Sequence, residues 1–171
     1  MNNWILEYNN WNREQHPLIE ALCTLGNGYF ATRGALEFTE ANEYNYPGTY
    51  LAGGYNRAVS EIEDKNIENE DLVNWPNWLM MSLKLEESGW LDVQKIEILD
   101  YVVRLHLKAG ILERKMRFRD TKKRETSILT RRVVSMHDPH VAGIEWTIMP
   151  ENWSGEITLR TGINGNITNN G

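Results

Sequence analysis

The sequence holds one cysteine, Cys23, in 171 residues. A single thiol excludes an internal disulfide framework and a four-cysteine zinc site. Proline is scarce, at 5 residues, and phenylalanine scarcer, at 3. No uncharged apolar run approaches the ~20 residues of a membrane-spanning helix. The opening residues Met1-Asn2-Asn3-Trp4 lack the basic and apolar blocks of a secretory leader. Positive charge is in deficit, with 18 Lys and Arg against 24 Asp and Glu, a net of -6. That balance disfavours nonspecific attraction to nucleic acid. The expectation is a cytoplasmic protein with no nucleic-acid and no membrane partner. Asn152-Trp153-Ser154 and Asn166-Ile167-Thr168 fit the glycosylation sequon but, in that compartment, count as chance matches.

What is abundant is turn chemistry: 18 Asn and 13 Gly. Both residue types favour tight turns and positive φ, so many short elements are expected and the fold class reads as all-β. The length fits one domain. Charge is uneven, with 17 acidic and 6 basic residues in 1–100 and 7 acidic and 12 basic in 101–171. With no Pro, Ser or Gly linker between the halves, this reads as one domain whose two parts attract each other. The second half alternates in period two. Leu79, Met81, Leu83 and Leu85 form one set, Val103, Leu105 and Leu107 another. Leu112, Met116 and Phe118 oppose Lys115, Arg117 and Arg119, and Ile144, Trp146 and Ile148 repeat the pattern, as do Ile157 and Leu159. Such strands have one dry face, which predicts antiparallel pairing in a sandwich. Turns are expected at Ala109-Gly110, Asp120–Arg124 and His137–His140. The first half holds most of the Trp and Tyr, and predicts short strands with long aromatic loops such as Asn42–Tyr50.

Few constellations carry chemistry by themselves. Leu25-Gly26-Asn27-Gly28-Tyr29-Phe30-Ala31 formally fits a dinucleotide fingerprint. The segment after it looks extended, and Asn27-Gly28 is a hairpin turn pair, so the hairpin is favoured. Glu68, Glu70 and Asp71 could supply acid–base carboxylates, but their closeness in sequence reads as a solvated acidic loop. His137-Asp138-Pro139-His140 offers metal-type donors without the remaining ligands, and reads as a turn. Cys23 has no neighbouring His and reads as a small buried residue. The basic run Arg114, Lys115, Arg117, Arg119, Lys122, Lys123 and Arg124 could contact RNA, but reads as the solvated face of an edge hairpin. Tyr46, Tyr50, Tyr55, Trp75 and Trp78 are the candidate sugar contacts, because pyranose C–H faces stack on aromatic rings.

Several segments together resemble one family. Leu25-Gly26-Asn27-Gly28-Tyr29-Phe30-Ala31-Thr32-Arg33-Gly34 resembles the N-terminal signature of glycoside hydrolase family 65, the maltose, trehalose and kojibiose phosphorylases and related hydrolases. The match continues in order through Tyr46-Pro47-Gly48-Thr49-Tyr50-Leu51-Ala52-Gly53-Gly54-Tyr55-Asn56-Arg57, Glu68–Asn74 and Pro76–Leu79. Arg117–Asp120, Arg131–Met136, Pro150–Gly155 and Ile163–Asn169 follow.

The resemblance implies an N-terminal antiparallel β-sandwich over 1–171, a super-sandwich incomplete at its C-terminal end. In the family it precedes a catalytic (α/α)6 barrel, which this chain lacks. The barrel carries the general-acid Glu, and phosphate or water attacks the anomeric carbon with inversion. No metal or organic cofactor is implied, and no catalytic, cofactor-binding or metal residue carries over to this chain. The implied partners are the barrel of the same polypeptide, an α-linked glucose disaccharide with phosphate, and a second copy in a homodimer. The alternatives are a carbohydrate-binding module that uses the aromatic loops and, behind it, a nucleic-acid binder that uses the basic hairpin.

Overall fold

The computed structural model describes residues 4–62, 65–167 and 169. Thr168 of the second sequon and the terminal Asn170-Gly171 lie outside them. The frame is a five-stranded antiparallel sheet in the order β1 (Ile5–Asn9), β8 (Glu97–His106), β9 (Ile111–Arg119), β10 (Glu125–Val134), β11 (Ala142–Pro150). Three smaller antiparallel sheets accompany it. β2 (Leu25–Gly26), β3 (Phe30–Thr32) and β4 (Thr49–Leu51) form one. β5 (Tyr55–Ile62) pairs with β6 (Lys65–Leu72), and β7 (Met81–Leu85) pairs with β12 (Ile157–Thr161). The all-β sandwich read from the alternating pattern is therefore correct. No described helix is long and apolar enough to cross a membrane.

Period-two burial builds the core. Thr126, Ile128, Thr130, Arg132 and Val134 of β10 are all buried, while the residues between them are partly or fully exposed. Register sets Leu112 of β9 beside Arg132, and Met116 beside Ile128. This face packs with Ile19, Cys23, Leu25, Leu36, Phe38, Leu83 and Leu85 in one apolar cluster. The predicted turns form. Asn27 Oδ1 accepts the amides of Tyr29 (3.0 Å) and Phe30 (2.8 Å), and Gly28 sits at φ +89°. Asp120 Oδ1 accepts the amides of Lys122 and Arg124 at 2.8 and 3.0 Å. Asp138 Oδ1 accepts the His140 amide at 3.0 Å.

Four readings change. The β9–β10 hairpin is central, flanked by β8 and β11, rather than at an edge. Its Arg114 is buried, not solvated. Glu68, Glu70 and Asp71 lie on strand β6, not in a loop, although all are exposed. Leu159 does not share a dry face with Ile157, nor Leu107 with Val103 and Leu105; they are 57% and 52% exposed. The turn-flanked hairpin β5–β6 escaped the periodicity test because its described residues are wet on both faces, leaving no alternation to read. The short helix α1 (His16–Leu22) likewise carries few signals: Pro17 suits its first turn, and Asn12 Oδ1 accepts the amides of Glu14 and Gln15.

The sheet holds the β3–β4 connection through a buried ion triad. Glu37 bridges Arg114 of β9 and Arg132 of β10, the latter at 2.5 Å. The guanidiniums also donate to carbonyls of the same connection: Arg114 Nη2 to Gly34 (2.7 Å), Arg132 Nη1 to Arg33 (2.7 Å) and Arg132 Nη2 to Ala35 (2.8 Å). Arg114 Nε reaches the Tyr101 hydroxyl at 3.1 Å. Burial pushes the Glu37 carboxyl up, but the two cations outweigh it and hold the group below its ordinary range. Glu37→Gln leaves two buried cations facing a neutral amide and is expected to cost about 3–5 kcal/mol. Urea unfolding checks it; a loss under about 1 kcal/mol would mean the triad does not hold the fold.

Candidate functional site

A second buried network lies beside the triad, on the inner side of α1. The spacing of His16, Ile19 and Glu20 turns all three inward. Glu20 Oε1 accepts Arg33 Nε at 2.8 Å, and Oε2 accepts the Tyr46 amide at 2.9 Å. Asn45 is a hub: Oδ1 takes the Leu36 amide at 2.8 Å and faces His16 Nε2 at 3.2 Å, and Nδ2 donates to the Thr39 carbonyl at 3.0 Å. Because Asn45 Oδ1 only accepts, His16 is protonated at Nε2. Gly34 permits this closeness; a Cβ there would stand 2.7 Å from Cys23 Cβ. Burial raises the Cys23 thiol to about 11, so it is no nucleophile at neutral pH.

These groups wall a cleft of about 620 Å³. Pro17 and Glu20 of α1 line one side, with Arg33 and the 42–46 loop, and Tyr50 of β4 follows. Asn56, Ala58 and Asp71 at the base of the β5–β6 hairpin close the other side, with Asn169. Asn56 and Asp71 are register partners and share one hairpin face. Arg33 lies over the Tyr46 ring at 5.5 Å. Burial pushes the Tyr50 phenol up, so it stays neutral, and it hydrogen-bonds with Arg33.

The candidate aromatic contacts separate. Tyr46 and Tyr50 line the cleft. Tyr55 is exposed, and alternation sends it to the hairpin face opposite Asn56. Trp75 covers Gly54, and Trp78 packs edge-on against Phe30 at 5.7 Å. Sequence reasoning missed Glu20, Asn45 and His16, since nothing marks an isolated polar residue as buried. Arg33 was legible only as part of the Gly-rich signature. Among the described residues no group of His, Cys, Asp or Glu is placed to hold a metal ion.

Four of the seven residues of the basic run are ion-paired, Arg114 in the triad and three more. Arg119 pairs with Glu97 (2.9 Å) and Glu125 (2.7 Å), Lys122 with Glu87 (2.7 Å) and Arg124 with Asp120 (2.7 Å). Paired cations offer little to a phosphate backbone, which weakens the RNA reading.

Burial, and next the charge of Arg114, lower His16 to about 4. The unfolded value is near 6.5. The folded protein therefore binds fewer protons in this interval, and the stability from neutral His16 is full above pH 6.5 and lost as pH falls toward 4. Glu20, raised by burial, opposes part of this loss. Unfolding free energies at pH 7 and pH 5 should therefore differ more in the native chain than in His16→Gln. Equal pH slopes for the two would refute it.

The comparisons with known proteins agree with this architecture. The family model described as "Glycosyl hydrolase family 65, N-terminal domain" matches residues 6–171. The chain is 37% identical over 166 residues to an uncharacterized glycosyl hydrolase of Mycobacterium tuberculosis, covering 97% of this chain and 12% of that protein. It is 32% identical over 169 residues to kojibiose phosphorylase of Halothermothrix orenii, covering 99% of this chain and 20% of the enzyme. A solved structure of a putative kojibiose phosphorylase from the human microbiome superposes with a TM-score of 0.76 at 22% identity, covering 85% of this chain and 19% of that one, and shows a shared fold. The chain thus spans a fifth or less of these relatives. By the family match and the ordered signatures on this sandwich, the chain belongs to glycosyl hydrolase family 65, as its N-terminal domain.

Proposed function

We propose that this chain is the non-catalytic β-sandwich opening a longer inverting α-glucoside phosphorylase or hydrolase. The observation that carries the proposal is a match confined to an N-terminal domain, in a chain covering 20% of a kojibiose phosphorylase. In this reading a catalytic (α/α)6 barrel follows in the same polypeptide, and the sandwich packs on it, steadies the active-site rim and supports a homodimer. The parent's substrates are an α-linked glucose disaccharide and phosphate, or water in a hydrolase, and its compartment is the cytoplasm.

Packing in the described part supports the role. The β7–β12 layer has two strands against five in the main sheet. Its Leu159 is 57% exposed and nearby Ile163 is 74% exposed. Apolar side chains in such positions gain free energy when further structure covers them. The buried carboxylates are also committed to structure: Glu37 to Arg114 and Arg132, Glu20 to Arg33. A carboxyl that its cations hold below the ordinary range, as for Glu37, is a poor general acid.

Incubating the 171-residue chain with kojibiose, trehalose or maltose and inorganic phosphate should release no glucose 1-phosphate above the blank. Sustained release proportional to chain concentration would overturn the non-catalytic assignment.

A further inference from the structure

The cleft between α1 and the β5–β6 hairpin has a chemistry of its own. Its most secluded wall is rigid, because Glu20 is fixed by Arg33 and the Tyr46 amide. That pairing spends the charge of Arg33, which also hydrogen-bonds with the Tyr50 hydroxyl. Across the cleft, the Asp71 side chain accepts no hydrogen bond among the described residues. Asn56 uses Oδ1 on the Arg57 amide at 3.0 Å, which leaves its Nδ2 donors to the cleft. Tyr50 adds a neutral hydroxyl and an aromatic ring.

The combination selects among ligands. Glu20 is paired with Arg33 and Glu43 with Arg13, which among the described residues leaves the carboxylate of Asp71 as the unpaired charge lining the cleft, and an anion is repelled. A purely apolar ligand would strand the carboxylate and amide without partners. A neutral polyol satisfies them, since each hydroxyl donates to a carboxylate while accepting from an N–H. Vicinal hydroxyls match a carboxylate and an amide sharing one cavity, and ring C–H faces match tyrosine. The volume, about 620 Å³, falls within the range of about 300–1,000 Å³ usual for small-molecule sites.

We propose that this cleft is a binding site for a neutral saccharide, with Asp71 and Asn56 taking ring hydroxyls, and Tyr46 and Tyr50, held by Arg33, lying against the sugar. The site goes beyond the domain assignment and needs no catalytic partner.

The test is a titration of the uniformly ¹⁵N-labelled 171-residue chain with kojibiose, trehalose and maltose, with inorganic phosphate as the anion probe. At least one disaccharide should shift the amides of Tyr46, Tyr50, Asn56 and Asp71 saturably, and phosphate should not. Asp71→Ala should weaken that binding about ten-fold. Tyr50→Phe should weaken it less, and Lys115→Gln, on the far sheet, should leave it unchanged. Asp71 is exposed, so its variant should keep the native spectrum elsewhere. Saturable binding with unaltered affinity in Asp71→Ala, shifts confined to other residues, phosphate binding in place of sugar, or no shift with any disaccharide would each overturn the site. None of those results touches the non-catalytic reading, which falls if the chain releases glucose 1-phosphate.

Discussion

The buried ion triad is the constraint on which the rest of the structure depends. A five-stranded sheet can form from its own alternation, but the long connection between β3 and β4 has little regular structure to hold it. Its backbone carbonyls must find donors once buried. Arg114 and Arg132 supply them at Gly34, Ala35 and Arg33, and Glu37 from the same connection neutralises both. Such a network adds little net stability over an apolar core of equal volume, yet it admits few alternative arrangements. Its effect here is positional. It sets Arg33 where Glu20 can meet it, and so fixes a wall of the cleft.

The charge asymmetry of the sequence takes its physical meaning from the same pairings. Glu37, Glu7, Glu97 and Glu87 from the acidic part meet Arg114, Arg132, Arg104, Arg119 and Lys122 from the basic part. Most of these contacts are exposed and individually weak. Only the triad excludes water. Part of the uneven charge is thus spent on pairs between the two halves of the sequence.

Much of the fold was legible because strands with one dry face announce themselves. Val103, Leu105, Leu112, Met116, Phe118 and Ile128 are core residues, as period two requires. The polar core was not legible. Arg114 and Arg132 sit at inward positions of β9 and β10, but a charged residue in an alternating pattern reads as a solvated one. Their partner Glu37 lies far away in sequence, and pairing over that distance leaves no local trace. The cleft was half legible. Tyr46 and Tyr50 stood out as aromatics, whereas Glu20, Asn56 and Asp71 acquire meaning only when helix, loop and hairpin meet.

The β5–β6 hairpin buries no described side chain, so its length is almost free of thermodynamic consequence for the core. Its phase is not. Asn56 and Asp71 face the cleft because an unbroken pleat carries them there. One residue inserted near the base of either strand would turn Asn56 or Asp71 away from the cleft, whereas two would turn it back to the same face. Lineages of this domain should therefore vary the hairpin in even steps wherever its inner face is in use, and without such parity wherever it is not.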